Sequence, residues 1–189
     1  MVGSFGIDIE FDPLVELREL KLKIVTEDFK FTIKENMLEK LHDPLDLIKS
    51  VFSDDIITGS LALNLYDLIY RDISDIDILI KDVERYTGYY NNNYSNDNDT
   101  SNNLGYKMVS YKRNLFSRSR EFKVDFFKNN DVKYNTFLYK GVLLKVQDPL
   151  EIIKEKIKMC ELIGTTAKFS SRRKHKNDLA EIFKRINWD

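Results

Sequence analysis

Thr58-Gly59-Ser60-Leu61-Ala62, followed at a short distance by Ser74-Asp75-Ile76-Asp77-Ile78-Leu79-Ile80, is the stretch on which the reading of this chain turns. Asp55 to Thr58 is a short apolar strand candidate that Gly59-Ser60 ends, and Leu61 to Tyr70, free of Gly and Pro, reads as a helix. Asp75 to Ile80 is a strongly apolar strand. Residues two apart on a strand point the same way, so Asp75 and Asp77 share one face and Ile76, Ile78 and Ile80 the other. Two carboxylates side by side on so apolar a strand repel each other and resist desolvation. A bound divalent cation removes both difficulties, and hard Mg²⁺ prefers carboxylate oxygens supplemented by water and phosphate. Gly59 lets the backbone approach a phosphate closely, and the Ser60 hydroxyl can hydrogen-bond one. An isolated Asp-x-Asp also caps turns, and a lone Gly-Ser is usually only a turn. The ordered set of strand, Gly-Ser, helix and paired-Asp strand is far more specific than either part.

Upstream, residues 20–25 alternate apolar and polar, as do Phe29, Phe31 and Ile33, which predicts a hairpin. Met37, Leu38 and Leu41 begin a helix that Asp43-Pro44 interrupts, with Asp43 as cap and Pro44 as first helical residue of a second one through Phe52. Downstream, residues 89–103 collapse to Asn, Asp, Ser, Thr and Tyr and read as a low-complexity loop. Residues 105–113, 120–128, 136–139 and 142–146 then read as strands. Within Phe122-Lys123-Val124-Asp125-Phe126-Phe127, Asp125 alternates onto the face of Lys123 and Phe127, as a third carboxylate or a sheet-edge charge. The expected class is α+β: a small mixed sheet flanked by helices. Its parts are an amino-terminal hairpin and helix over 1–50, a core over 51–147 carrying the Asn-rich insertion, and a helical segment over 148–189.

That last segment opens with Asp148-Pro149-Leu150-Glu151, a cap, a Pro at the first helical position and an acid two residues later. On the helix to about residue 163, Ile152, Ile153, Ile157, Met159, Cys160 and Ile163 form an apolar side. Lys156 falls in the middle of it. A buried ammonium needs an anionic partner, such as the carboxylates or a triphosphate; the alternative is that the stem snorkels to solvent. A second helix, about 174–186, follows a polar basic linker.

With these residues in place, the chain resembles the polymerase-beta-type nucleotidyltransferases. The resemblance rests on Thr58-Gly59-Ser60-Leu61-Ala62 and on Arg71-Asp72-Ile73-Ser74-Asp75-Ile76-Asp77-Ile78-Leu79. Pro149 to Ile157 and Lys174-His175-Lys176-Asn177-Asp178-Leu179 further resemble the AbiEii-type branch, the toxins of abortive-infection systems. The resemblance implies a nucleotidyltransferase fold with one or two Mg²⁺ held by Asp75, Asp77 and Asp125. It implies nucleotide phosphates on Gly59, Ser60, Arg71 and Lys156, with Asp178 orienting the site. Arg71 can instead pair with Asp72 or another acid of the site, and a core or ion-paired role for His175 outweighs catalysis. The implied activity is transfer of a nucleotide from an NTP to a hydroxyl, with RNA or tRNA the favoured acceptor and an antitoxin among the implied partners. A small antibiotic-like acceptor, or a fold retained for binding without catalysis, are the alternatives. The Asn-rich insertion departs from the family pattern, residues 1–50 match none of its motifs, and at 189 residues the chain is short for an AbiEii-type toxin.

Composition sets the frame. The chain of 189 residues has a formal net charge of −1, yet residues 1–103 hold ten basic and twenty-one acidic side chains, and residues 104–189 hold twenty and ten. Near-neutrality therefore hides a basic half, whose strands and Ser171–Lys176 run could meet nucleic-acid phosphates over 104–176 or simply be solvated. A single cysteine, Cys160, rules out an internal disulfide framework. Neither a signal-peptide pattern nor a membrane-length apolar run is present, so a soluble protein of a reducing cytoplasm is expected. Richness in Asn, Lys, Ile and Tyr suggests an AT-rich genome, of a phage or a low-GC bacterium.

Overall fold

The computed structural model describes residues 30–73, 75–81, 94–96, 109–116, 121–128, 132–161 and 169–186. Two helices, α1 (Glu35–Lys40) and α2 (His42–Val51), lead into β1 (Ile56–Thr58), α3 (Gly59–Leu65) and β2 (Asp75–Ile80). After them come β3 (Tyr94–Asn96), β4 (Val109–Phe116), β5 (Glu121–Lys128), β6 (Tyr134–Tyr139) and β7 (Val142–Gln147). Helices α4 (Pro149–Glu161) and α5 (Phe169–Ile186) close the chain. The seven strands form one mixed sheet in the order β3-β4-β5-β2-β1-β7-β6. β2 runs parallel to β5 and β1 parallel to β7, while the remaining neighbours are antiparallel. The expected α+β architecture, a mixed sheet with flanking helices, is what the chain adopts.

Alternation along the strands decides which face is the core. Ile57, Ile76, Ile78, Ile80, Val124, Phe126 and Val146 are fully buried and share one cluster with Leu45 and Ile48 of α2, Leu61, Leu63 and Leu65 of α3, and Ile153 and Ile182 of the last two helices. Phe52 closes edge-on against Phe126, with ring centroids 5.4 Å apart. Each such side chain contributes about 1.5–3 kcal/mol of hydrophobic free energy. On the opposite face Asp75, Asp77, Lys123 and Asp125 are half-buried, Ile56 and Leu79 are buried, and Leu138 and Leu143 of the outer pair are exposed.

Several boundaries differ from expectation. Residues 30–34 are not a strand; they run directly into α1, with the Lys34 N–H donating to the Leu65 carbonyl at 3.0 Å. The rest of the expected hairpin lies outside the described residues. Helix α2 begins at His42, with Leu41 at the cap, so Asp43 and Pro44 fall inside its first turn. Tyr94-Ser95-Asn96, expected as loop, pairs with β4, while the remainder of 89–103 lies outside the described residues. Helix α5 starts at Phe169, so residues 169–173 are helix instead of linker. The largest difference is α3, which starts at Gly59 and stops at Leu65 instead of running to Tyr70. Asp67 adopts φ 58°, and the N–H groups of Asp67 and Leu68 donate back to the carbonyls of Asn64 and Leu63. That is a Schellman ending with an aspartate where glycine is usual. Arg185 of α5 holds the strained residue, donating to both its carbonyl and its carboxylate.

Candidate metal centre

The site is built where β1, β2 and β5 lie side by side. Thr58 is paired with Asp77, and Asp77 in turn with Asp125, so one level of the sheet carries all three. Asp75 stands two residues before Asp77, on the same face. One oxygen from each of Asp75, Asp77 and Asp125 falls within 4.8 Å of the other two, the only such cluster of potential metal ligands among the described residues.

Gly59 sits against this cluster. It has φ +64°, and a Cβ placed on it would meet Asp77 Oδ2 at 2.0 Å. The turn therefore needs glycine twice over, for its backbone conformation and for the absence of a side chain. Behind Gly59 runs a buried polar chain between residues far apart in sequence, which no local pattern signals. The Thr58 hydroxyl donates a short hydrogen bond to Gln147 Oε1, and Gln147 Nε2 donates to Glu155 Oε1 at 3.1 Å. Thr58 and Gln147 are both buried, and burial pushes the Glu155 carboxyl above its ordinary range. Glu155 thus faces the sheet end, although a helical wheel sets it with Lys154 and Lys158 opposite the isoleucines. At the start of that helix the Asp148 carboxylate caps the Leu150 N–H as expected. Glu151 turns away from the cap and accepts from the Lys133 N–H.

Electrostatically the cluster is under tension. Burial first, then the charges of Asp75 and Asp125, push Asp77 up to about 7; the ammonium groups of Lys174 and Lys156 pull it the other way. Lys174 of α5 reaches Asp75 Oδ2 at 3.2 Å, and Lys123 reaches Asp125 Oδ2 at 2.7 Å. Asp125 Oδ1 is buried and has no hydrogen-bond partner among the described residues. An orphaned carboxylate oxygen, a neighbour pushed up to about 7 by burial and like charge, and a turn that admits only glycine beside it fit a hard divalent cation bound by oxygen.

Beside the carboxylates lies a second cluster. Lys156 is buried, at 6% exposure, and its ammonium is held by Asp178 Oδ2 at 2.8 Å. The other oxygen of Asp178 faces Arg71 Nη1 at 3.6 Å, while Arg71 Nε and Nη2 are buried without partners among the described residues. So Lys156 neither snorkels out nor touches the triad, and Arg71 pairs with Asp178 instead of Asp72. His175 packs in the same cluster; burial, reinforced by Lys156, lowers it to about 4, so its ring is neutral at physiological pH. Ser60 is buried, and its carbonyl accepts from Asn64 Nδ2 at 3.0 Å. Arg71 and Asp72 also border a groove of about 490 Å³ between α1, α2 and Phe122, on the helical side of the sheet. Of the basic run, Arg173 and Lys176 are exposed; the side chains of 171 and 172 lie outside the described set. No helix among the described residues is long and apolar enough to cross a membrane.

No protein-family model matches this chain, and no curated protein matches it either. Among solved structures it is similar to the crystal structure of an antigenic nucleotidyltransferase-like protein from Paracoccidioides brasiliensis. The two share 16% identity over 79% of this chain and 77% of that one, with a TM-score of 0.42. At that level of similarity the chemistry has to be read from the site's own residues.

Proposed function

We propose that the protein is a metal-dependent nucleotidyltransferase that moves a nucleotide from an NTP to a hydroxyl acceptor, of the AbiEii-like kind that its carboxyl-terminal motifs resemble. The observation that carries this reading is the meeting of Asp75, Asp77 and Asp125 within 4.8 Å, drawn from two parallel strands and pressed by the Gly59 turn. A divalent ion bound there, Mg²⁺ in this proposal, would supply charge stabilisation at a reacting phosphorus. Asp75 and Asp77 hold the ion and orient what it binds. Asp125, with one oxygen already committed to Lys123, has a second free to take the acceptor hydroxyl's proton. Gly59 and Ser60 form the turn beside the phosphates. Arg71 offers them two guanidinium nitrogens without a partner among the described residues, and Lys156 adds its field from behind Asp178.

RNA is the proposed acceptor, because the carboxyl-terminal half of the chain carries the basic excess; an antitoxin would then be the natural protein partner. The test is incubation of the full chain with labelled NTPs, Mg²⁺ and total RNA, alongside the Asp75→Ala/Asp77→Ala variant. Label should enter RNA with the native chain only. Equal labelling by both proteins, or by neither with any acceptor offered, would rule the reading out.

A further inference from the structure

We infer that Lys174 is the phosphate-binding ammonium of this site, and that it exchanges Asp75 for a phosphate when a divalent cation is present. The inference rests on the metal-centre reading above and assigns a ligand contact to a residue which that reading left without a role.

Three ammonium groups surround the carboxylates, and their geometry separates them. Lys156 is 7% exposed in its side chain and locked at 2.8 Å to Asp178, so it meets an outside anion only by abandoning a buried partner. Lys123 is bound at 2.7 Å to Asp125 from the adjoining position on the same strand face. Lys174 is different. It is as exposed as Lys123, but its contact with Asp75 is the longest of the three at 3.2 Å, and it comes from α5, an element separate from the sheet. A pair with one partner so accessible to solvent is weakened by screening, and exposed pairs hold together by only about 0–1 kcal/mol. A divalent ion at Asp75 competes for the oxygen that Lys174 holds and repels its charge.

The charge count gives the displaced ammonium a destination. Among the described residues, four carboxylates (Asp75, Asp77, Asp125 and Asp178) stand against four cationic groups (Lys123, Lys156, Lys174 and Arg71). A divalent cation shifts this cluster towards positive charge, which an anion arriving with it offsets. Lys174 is the one of the four with both an exposed stem and a weak present contact. Asp178, one helical turn later on α5, keeps that turn anchored to Lys156 and Arg71, so the ammonium can swing while its helix stays in place. A polyphosphate brought in by the metal is the anion this arrangement takes.

The experiment is calorimetric titration of the full chain, wild type, Lys174→Met and Lys174→Arg, with Mn²⁺ alone and then with Mg²⁺–tripolyphosphate. Lys174→Met should tighten Mn²⁺ about two- to fivefold, since a competing cation is gone, and weaken Mg²⁺–tripolyphosphate about tenfold. Lys174→Arg should keep tripolyphosphate binding within about threefold. Lys184→Met, which removes a like charge from the exposed far end of α5, should change neither. Loss of both affinities together in Lys174→Met, or an unchanged tripolyphosphate affinity, overturns the assignment while leaving the metal centre standing. Mn²⁺ affinity that is undiminished by Asp75→Asn/Asp77→Asn overturns the metal centre itself.

Discussion

Gly59 and Asp77 are one structural fact seen from two residues. Gly59→Ala puts a methyl 2.0 Å from Asp77 Oδ2 in a backbone region that costs an L-residue about 1–2 kcal/mol before any clash. The expected outcome is destabilisation of at least about 2 kcal/mol in urea denaturation, together with loss of divalent-metal binding. Asp77, raised to about 7 from an ordinary 3.8, carries a pH signature whose sign is fixed. In the metal-free protein its contribution to stability is full below pH about 4 and is lost as pH rises through about 7, because the folded state then pays for a desolvated charge. Metal affinity must run the opposite way, rising towards pH 7 as the competing proton leaves and levelling above it. Titration with Mn²⁺ between pH 5.5 and 8.5 checks this, and Asp77→Asn should stabilise the metal-free protein at pH 8 while abolishing that binding. His175 adds a second window: lowered to about 4, it supports the fold above pH 6.5, and that support is lost as pH falls through 4.

At the scale of elements, Asp178 ties α4, α5 and the segment entering β2 through Lys156 and Arg71. Asp178→Ala strands a buried ammonium and should cost about 3–5 kcal/mol, read from the denaturation midpoint at constant slope. The Lys156→Met/Asp178→Leu pair, which removes both charges and keeps the volume, should recover most of that loss. What the sequence made legible here follows from periodicity. Period two put Asp75 with Asp77 and Asp125 with Lys123 on one face, and the helical wheel put Lys156 among isoleucines; all three placements hold in the fold. What stayed illegible depends on contacts between distant segments. The end of α3 at Leu65 is set by an aspartate at positive φ that Arg185 secures 118 residues later, which no local pattern encodes. The partner of Lys156 comes from another helix, and the Thr58–Gln147–Glu155 chain joins a strand end, another strand end and a helix. The Lys140-Gly141 turn between β6 and β7, with both residues at positive φ, is the reverse case, a two-residue hairpin loop visible from its glycine.

Among the described residues the carboxylates stand on the face of the sheet opposite the helix-packed core, where α5 lends them Lys174. An RNA acceptor should lose affinity steeply between about 50 and 200 mM salt, by tenfold or more if several phosphates are contacted. A small hydroxylated acceptor should show almost no such dependence, so filter binding across that range separates the two. Beneath both stands the claim that Asp75, Asp77 and Asp125 are ligands of one metal centre. Crystals grown with Mn²⁺ and measured at its absorption edge test this most directly. The account predicts an anomalous peak in contact with oxygens of all three aspartates, at about 2.0–2.3 Å. A fully occupied Mn²⁺ elsewhere, with no metal density between the three carboxylates, would contradict it.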